Sequence, residues 1–143
     1  MDFQTLQLLF RCRCEFSHDT LRLRELSDTE YMICSYVRSH ADCSQDEAAT
    51  ALKTDKTTVA KALHTLEEKG CIERIQDPAD KRRKRLNLTA SGLERTETLL
   101  ALHERWFSEV FSCLTAEERI CFESCCERLL AKAETLAAKE GRA

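Results

Sequence analysis

A chain of 143 residues, 43% hydrophobic and 33% charged with one Pro and three Gly, is too apolar for disorder and too poor in turn residues for a many-stranded β fold. No apolar run approaches the roughly 20 residues that span a bilayer, and the acidic start at Asp2 lacks the marks of a secretory signal, so a cytoplasmic, mostly helical protein without a membrane partner is expected. Nine cysteines, an odd number without scaffold-like spacing, read as mostly free thiols.

Residues 3–23 read as a first helix, with Phe3, Leu6, Leu9, Phe10 and Phe16 near helical spacing. A second starts at a capping box, Ser27 with Glu30, has Leu26 stapled onto Tyr31, and runs to about His40. Ser44-Gln45-Asp46-Glu47 is another capping box and opens a short helix through about Leu52. After a turn at Lys53, Asp55 or Thr54 caps a fourth helix to Lys69, on which Val59, Ala62, Leu63 and Leu66 form one apolar stripe. Gly70 stands where a left-handed residue ends a helix. Cys71 to Gln76 and Leu86-Asn87-Leu88 then read as a β-hairpin, with Pro78 and five consecutive cations (Lys81, Arg82, Arg83, Lys84, Arg85) at its tip. Thr89 caps a long helix to about Cys113 that carries Leu93, Leu100, Phe107 and Phe111. A third capping box, Thr115 with Glu118, opens the last helix. There Phe122, Cys126, Leu129, Ala133 and Leu136 recur at steps of four and three, the repeat of a helix packed along another.

Charge is spread unevenly over this order. Residues 1–50 hold five Lys/Arg against nine Asp/Glu (−4), residues 51–85 ten against six (+4), and residues 86–143 seven against ten (−3). A basic centre between acidic arms fits a chain whose middle touches phosphate. The short helix 44–52 and the helix 55–69 have helix-turn-helix proportions, in which the second helix enters the major groove. Near its start Lys56, Thr57, Thr58 and Lys61 lie off the apolar stripe and offer ammonium donors, hydroxyls and a methyl group to base edges. Ser44 and Gln45, which open the preceding helix, are counted with them as DNA contacts. Any amphipathic surface helix has such a polar face. The hairpin adds weight, because five adjacent cations repel one another unless phosphate or a minor groove compensates them.

The runs Leu66-Glu67-Glu68-Lys69-Gly70-Cys71-Ile72-Glu73-Arg74, Asp77-Pro78-Ala79-Asp80-Lys81-Arg82-Arg83-Lys84 and Leu86-Asn87-Leu88-Thr89-Ala90-Ser91-Gly92 together resemble the MarR (multiple-antibiotic-resistance regulator) family. The resemblance implies a mostly α winged helix-turn-helix fold with a small β-hairpin wing and long N- and C-terminal dimerisation helices. Residues 1–26 and 113–143 would then be the dimerisation helices, 27–90 the DNA-binding domain, and 89–113 the long connecting helix. It also implies that Asp80 holds Arg82 while the Arg82 guanidinium enters the minor groove, with Lys81, Arg83, Lys84 and Arg85 as backbone contacts. The partners it implies are a second copy of the chain, a near-palindromic double-stranded operator with half-sites roughly 10 bp apart, and a small-molecule inducer that releases a repressor.

The signal sensed is less legible. Oxidation-sensing relatives place a reactive thiol near Cys12 and Cys14, and the adjacent Arg11 and Arg13 would favour a thiolate. Two residues apart on a helix they point about 200° away from each other, so they cannot bridge within one chain. A thiol-based redox regulator of the same fold is therefore the alternative, against two plain packing cysteines. Phe16, Tyr31, Tyr36 and His103 are candidates to line a ligand pocket between the reading head and the dimer helices, unless they are simply core. Cys121 and Cys125 share a helix face, but a closed zinc site needs about two more ligands, and His103 is the only tempting one. The zinc-sensing branch of the family would need metal ligands where Met32 and Leu100 stand. Cys126 reads as core of the helical seam. No metal or cofactor is expected. Neither a nucleophile–His–carboxylate pairing nor a Gly-rich phosphate loop appears, so an enzyme is not expected either. A winged helix used for protein contact is the third class, and it would not need five cations.

Overall fold

The computed structural model describes residues 3–21 and 26–140. The elements run α1 (Phe3–Leu21), α2 (Asp28–Ser39), β1 (Cys43–Ser44), α3 (Gln45–Ala51), α4 (Lys56–Glu68), β2 (Ile72–Gln76), β3 (Lys84–Leu88), α5 (Ala90–Val110), a 3₁₀ turn (Phe111–Cys113) and α6 (Ala116–Glu140). The chain forms two compact units, residues 1–104 and 105–143. Positions 22 and 23 of the expected first helix lie outside the described residues.

Every capping box read from the sequence is formed. Ser27 Oγ accepts the Glu30 N–H, and Glu30 Oε2 accepts the Ser27 N–H at 2.8 Å. Ser44 with Glu47, and Thr115 with Glu118, repeat the exchange. At α4 the cap is Asp55, whose Oδ1 accepts the Thr58 N–H at 2.8 Å. Thr54 is not the cap, because its hydroxyl donates to the Leu52 carbonyl. Gly70 ends α4 at φ +65°, as its place predicted.

The stripe of α4 carries the core of the first unit. Val59, Leu63 and Leu66 are fully buried with Ile33, Cys34 and Val37 of α2, Ala48 and Ala49 of α3, and Leu86 of β3. The Glu30 that closes the α2 cap is itself buried and meets Lys69 Nζ at 2.7 Å, tying the start of α2 to the end of α4. That pairing, 39 residues apart in sequence, was beyond local reading.

Three expectations need correction. The hairpin is part of a three-stranded antiparallel sheet in the order β1-β3-β2, with Cys43 opposite Leu86. β1 is invisible in the sequence because two residues carry no alternation; what makes them a strand is the edge β3 offers. Next, β3 begins at Lys84, opposite Gln76, so Lys84 and Arg85 are strand residues and only Lys81, Arg82 and Arg83 belong to the tip. Finally, the apolar residues read along the long helix are not its inner face, Leu100 and Phe111 being half-buried. Leu93 and Phe107 are exposed, and the buried positions are Thr96, Leu99, Leu102, His103 and Trp106. Leu99 joins the core of the first unit.

The corner from β3 into α5 is closed by short-range geometry. The Thr89 N–H donates to the Cys71 carbonyl (3.0 Å), its hydroxyl donates to the Gly70 carbonyl (2.6 Å), and its Oγ1 accepts the Gly92 N–H (3.0 Å). Gly92 lies against this corner with no room for a side chain. Among the described residues no helix is long and apolar enough to cross a membrane.

Candidate nucleic-acid interface

The turn between α3 and α4 is tight because Lys53 adopts φ 51°, a left-handed conformation that reverses the chain within three residues. It delivers α4 with its stripe inward and Thr57 and Lys61 outward, both exposed. Lys56 and Thr58 flank that row. Lys56 Nζ lies 3.0 Å from Asp46 Oδ1 of α3, both groups largely in solvent. Thr58 is more occupied than the sequence suggested: its N–H and its hydroxyl both donate to Asp55. These bonds hold the Asp55 carboxyl below the usual aspartate range. Its hydroxyl oxygen remains an acceptor. His64, three residues beyond Lys61, continues the exposed row and pairs with Glu68 at 3.5 Å. Sequence reasoning did not single it out, although the i+3 spacing from Lys61 was signal enough.

Ser44 and Gln45 open α3. The Ser44 hydroxyl accepts the Glu47 N–H, which leaves its own O–H to donate elsewhere. The Ser44 N–H, then its hydroxyl, hold the Glu47 carboxyl below its ordinary range. Ser44, Asp46 and Glu47 line an open cleft of about 380 Å³ together with Tyr36 and Arg83, so the wing tip and the start of α3 share one face.

The tip of the wing is built by its acidic residues. Asp77 Oδ1 accepts the Ala79 N–H at 2.8 Å, and Asp80 Oδ1 accepts the Arg82 N–H at 2.9 Å. The Asp77 N–H donates to the Arg83 carbonyl and the Arg83 N–H to the Asp80 carbonyl. Gln76 Nε2 donates to the Lys81 carbonyl at 2.7 Å. Backbone groups are thereby satisfied locally, and the side chains of Lys81, Arg82 and Arg83 stand exposed. In this structure Asp80 holds Arg82 by its main chain, not by its guanidinium. The guanidinium–carboxylate pair of the wing is Arg85 with Asp77, at 3.0 Å, and it draws the Asp77 carboxyl down and raises Arg85. Arg85 is thus spent on the wing itself. Lys84 is exposed on β3.

The candidate sensor residues gather around α1, the start of α2 and α5. Arg13 lies 3.1 Å from Nε2 of the buried His103, and Tyr31 meets the His103 ring edge-on at 4.7 Å. Burial and then the Arg13 charge push His103 below the ordinary histidine range. Tyr36 instead stacks on His40 at 4.3 Å. It shares with Tyr31 an open cleft of about 320 Å³, which Phe16 and His103 do not line. Phe16 is half-buried on α1.

Cys12 is exposed, whereas Cys14 donates to Asp28 Oδ2 at 3.2 Å. Burial first, then the Asp28 carboxylate, push the Cys14 thiol up, and the lowering by Arg13 is the smaller effect. The expected activation of Cys14 by its neighbours is therefore reversed. Among the described residues no three His, Cys, Asp or Glu side chains are grouped to hold a metal. Cys126, expected in the seam between packed helices, is exposed on α6 of the single chain.

Comparison with known proteins adds to this geometry. Residues 26–84 match the MarR family. The HTH-type transcriptional regulator BilQ of Clostridioides difficile (strain CD3) is 28% identical over 105 residues, 73% of this chain and 69% of the relative. A crystal structure of MarR is similar with a TM-score of 0.77 and 33% identity, over 94% of this chain and 99% of that one. A crystal structure of an S. aureus MepR–DNA complex superposes with a TM-score of 0.82 at 22% identity, over 92% and 98% of the two chains.

Proposed function

This chain belongs to the MarR family, whose members are transcriptional regulators and not enzymes, and on that premise we propose that it is a homodimeric repressor that binds a near-palindromic double-stranded operator in the cytoplasm. The observation that carries this reading is the exposure of Thr57 and Lys61 on α4 and of Lys81, Arg82 and Arg83 at the wing tip, with Arg83 sharing an open cleft with Ser44 at the start of α3. Thr57, Lys61 and Lys56 face base edges and phosphates of the major groove, with Thr58 as an acceptor. Ser44 and Gln45 donate to the adjoining backbone. Lys81, Arg82, Arg83 and Lys84 take phosphate or the minor groove, Arg82 reaching it from a tip that Asp80 has already folded. The helices in residues 1–26 and 113–143 join two copies, residues 27–90 read DNA, and 89–113 connect them.

An inducer releases the operator by favouring a dimer whose two α4 helices no longer match the half-site spacing. Its place is where Tyr31, His103 and Arg13 meet. The guanidinium and the imidazole there suit a small aromatic molecule with an anionic or hydrogen-bond-accepting group. A thiol-based sensor at Cys12 or Cys14 is the weaker reading, since burial and then Asp28 disfavour the Cys14 thiolate.

Selection of binders from a random double-stranded pool by the reduced protein tests the reading. A near-palindrome should be enriched, with affinity falling linearly in log salt. Replacing Lys81, Arg82 and Arg83 by Ala should flatten that slope by about 0.9 for each phosphate that is no longer neutralised. No enrichment together with indifference to salt would turn the wing into a protein-contact surface.

A further inference from the structure

DNA binding leaves the nine cysteines without a role. Cys121 and Cys125 form the only cysteine pair in the sequence spaced by one helical turn, and both are exposed in the first half of α6. The others are differently disposed. Cys34, Cys43 and Cys71 are buried in the core, and Cys113 donates to the Val110 carbonyl at 3.1 Å. Cys126 sits about 100° round the helix from Cys125, within the apolar stripe of Phe122 and Leu129.

Neighbours at i and i+4 hold their Cβ atoms about 5–6 Å apart, beyond the roughly 3.5–4.5 Å of a disulfide. Regular helix therefore keeps this pair from closing on itself. Two metal–sulfur bonds of about 2.3 Å laid end to end span about 4.6 Å, a gap that two Sγ atoms on successive turns can match. With no third ligand grouped nearby among the described residues, four-coordinate zinc is not completed. The ion that suits two sulfurs alone is a soft closed-shell cation, and thiolates select Cu(I) in that class.

We propose that Cys121 and Cys125 form a two-thiolate site for Cu(I) on α6. Each thiol gives its proton to water, two S–Cu bonds form, and the metal stays Cu(I), so no electron changes hands.

Anaerobic titration of the reduced protein against the coloured Cu(I)–bathocuproine disulfonate complex tests it. One Cu(I) per chain should be withdrawn from the chelator. Cys121→Ser and Cys125→Ser should each weaken that binding by well over an order of magnitude, while the Cys12→Ser/Cys14→Ser double variant keeps it. Helical circular dichroism of each variant guards against misfolding. Failure of the parent protein to compete, or retention of the copper in either α6 variant, would overturn the proposal. So would its loss in the α1 double variant alone.

Discussion

At the scale of single residues, Gly92 shows how a short motif encodes a long-range fit. A Cβ there would lie 2.7 Å from the carbonyl carbon of Cys71, and nearer still to its oxygen, so Gly92→Ala must lever α5 away from the start of β2. Backbone cannot yield as a flexible side chain does, and overpacking of this kind costs about 1–3 kcal/mol. Gly70→Ala is the matched comparison. It meets open space and bears only the left-handed backbone at φ +65°, about 1 kcal/mol. Urea unfolding of the two variants should rank Gly92→Ala as the more damaged; equal losses would mean that the corner relaxes freely. In the sequence Gly92 was one letter of a family pattern, and nothing local to it announced Cys71. Glu30 is similar. Its capping role was legible from Ser27, but its ion pair with Lys69 was not.

At the scale of elements, the meeting of α1, α2 and α5 should respond to acid. His103 is kept below its ordinary range by burial and by the Arg13 charge, so the folded chain binds its proton less readily than the unfolded chain does. The stabilisation is complete above the unfolded value, about pH 6.5. It is lost as pH falls through the lower folded value. Urea midpoints taken at about pH 7.5 and about pH 5.5 should therefore drop for the parent protein and drop less for His103→Phe, which keeps a ring for Tyr31. A parent midpoint that does not fall more than the variant's would remove His103 from the account. The wing teaches a different lesson. Five adjacent cations read as one loop, yet pairing with β2 draws Lys84 and Arg85 into a strand and turns Arg85 toward Asp77.

At the scale of the whole molecule, α6 exposes Leu129 at 62% and Leu136 at 50%, with Phe122 at 39%, along the stripe predicted to pack on another helix. α1 exposes Leu8 and Phe10 as well. Exposed apolar residues along a helical stripe mark an interaction site. Under the proposed dimer, Leu129→Glu with Leu136→Glu should convert a two-chain species into single chains in sedimentation experiments and weaken operator binding with it. A parent protein that sediments as one chain would remove the two-fold premise of the palindrome.

Local chemistry was decided within the sequence: the helix starts at Ser27, Ser44 and Thr115, the inward stripe of α4, the left-handed stop at Gly70, and the basic centre between acidic arms. Each depends on residues a few positions apart, where spacing alone sets geometry. The third strand, the division of the basic run, the upward push on the Cys14 thiol by burial and Asp28, and the burial of His103 beside Arg13 were decided only by the fold. They arise between segments distant in the chain, and dielectric, partners and strand edges exist only once those segments have packed.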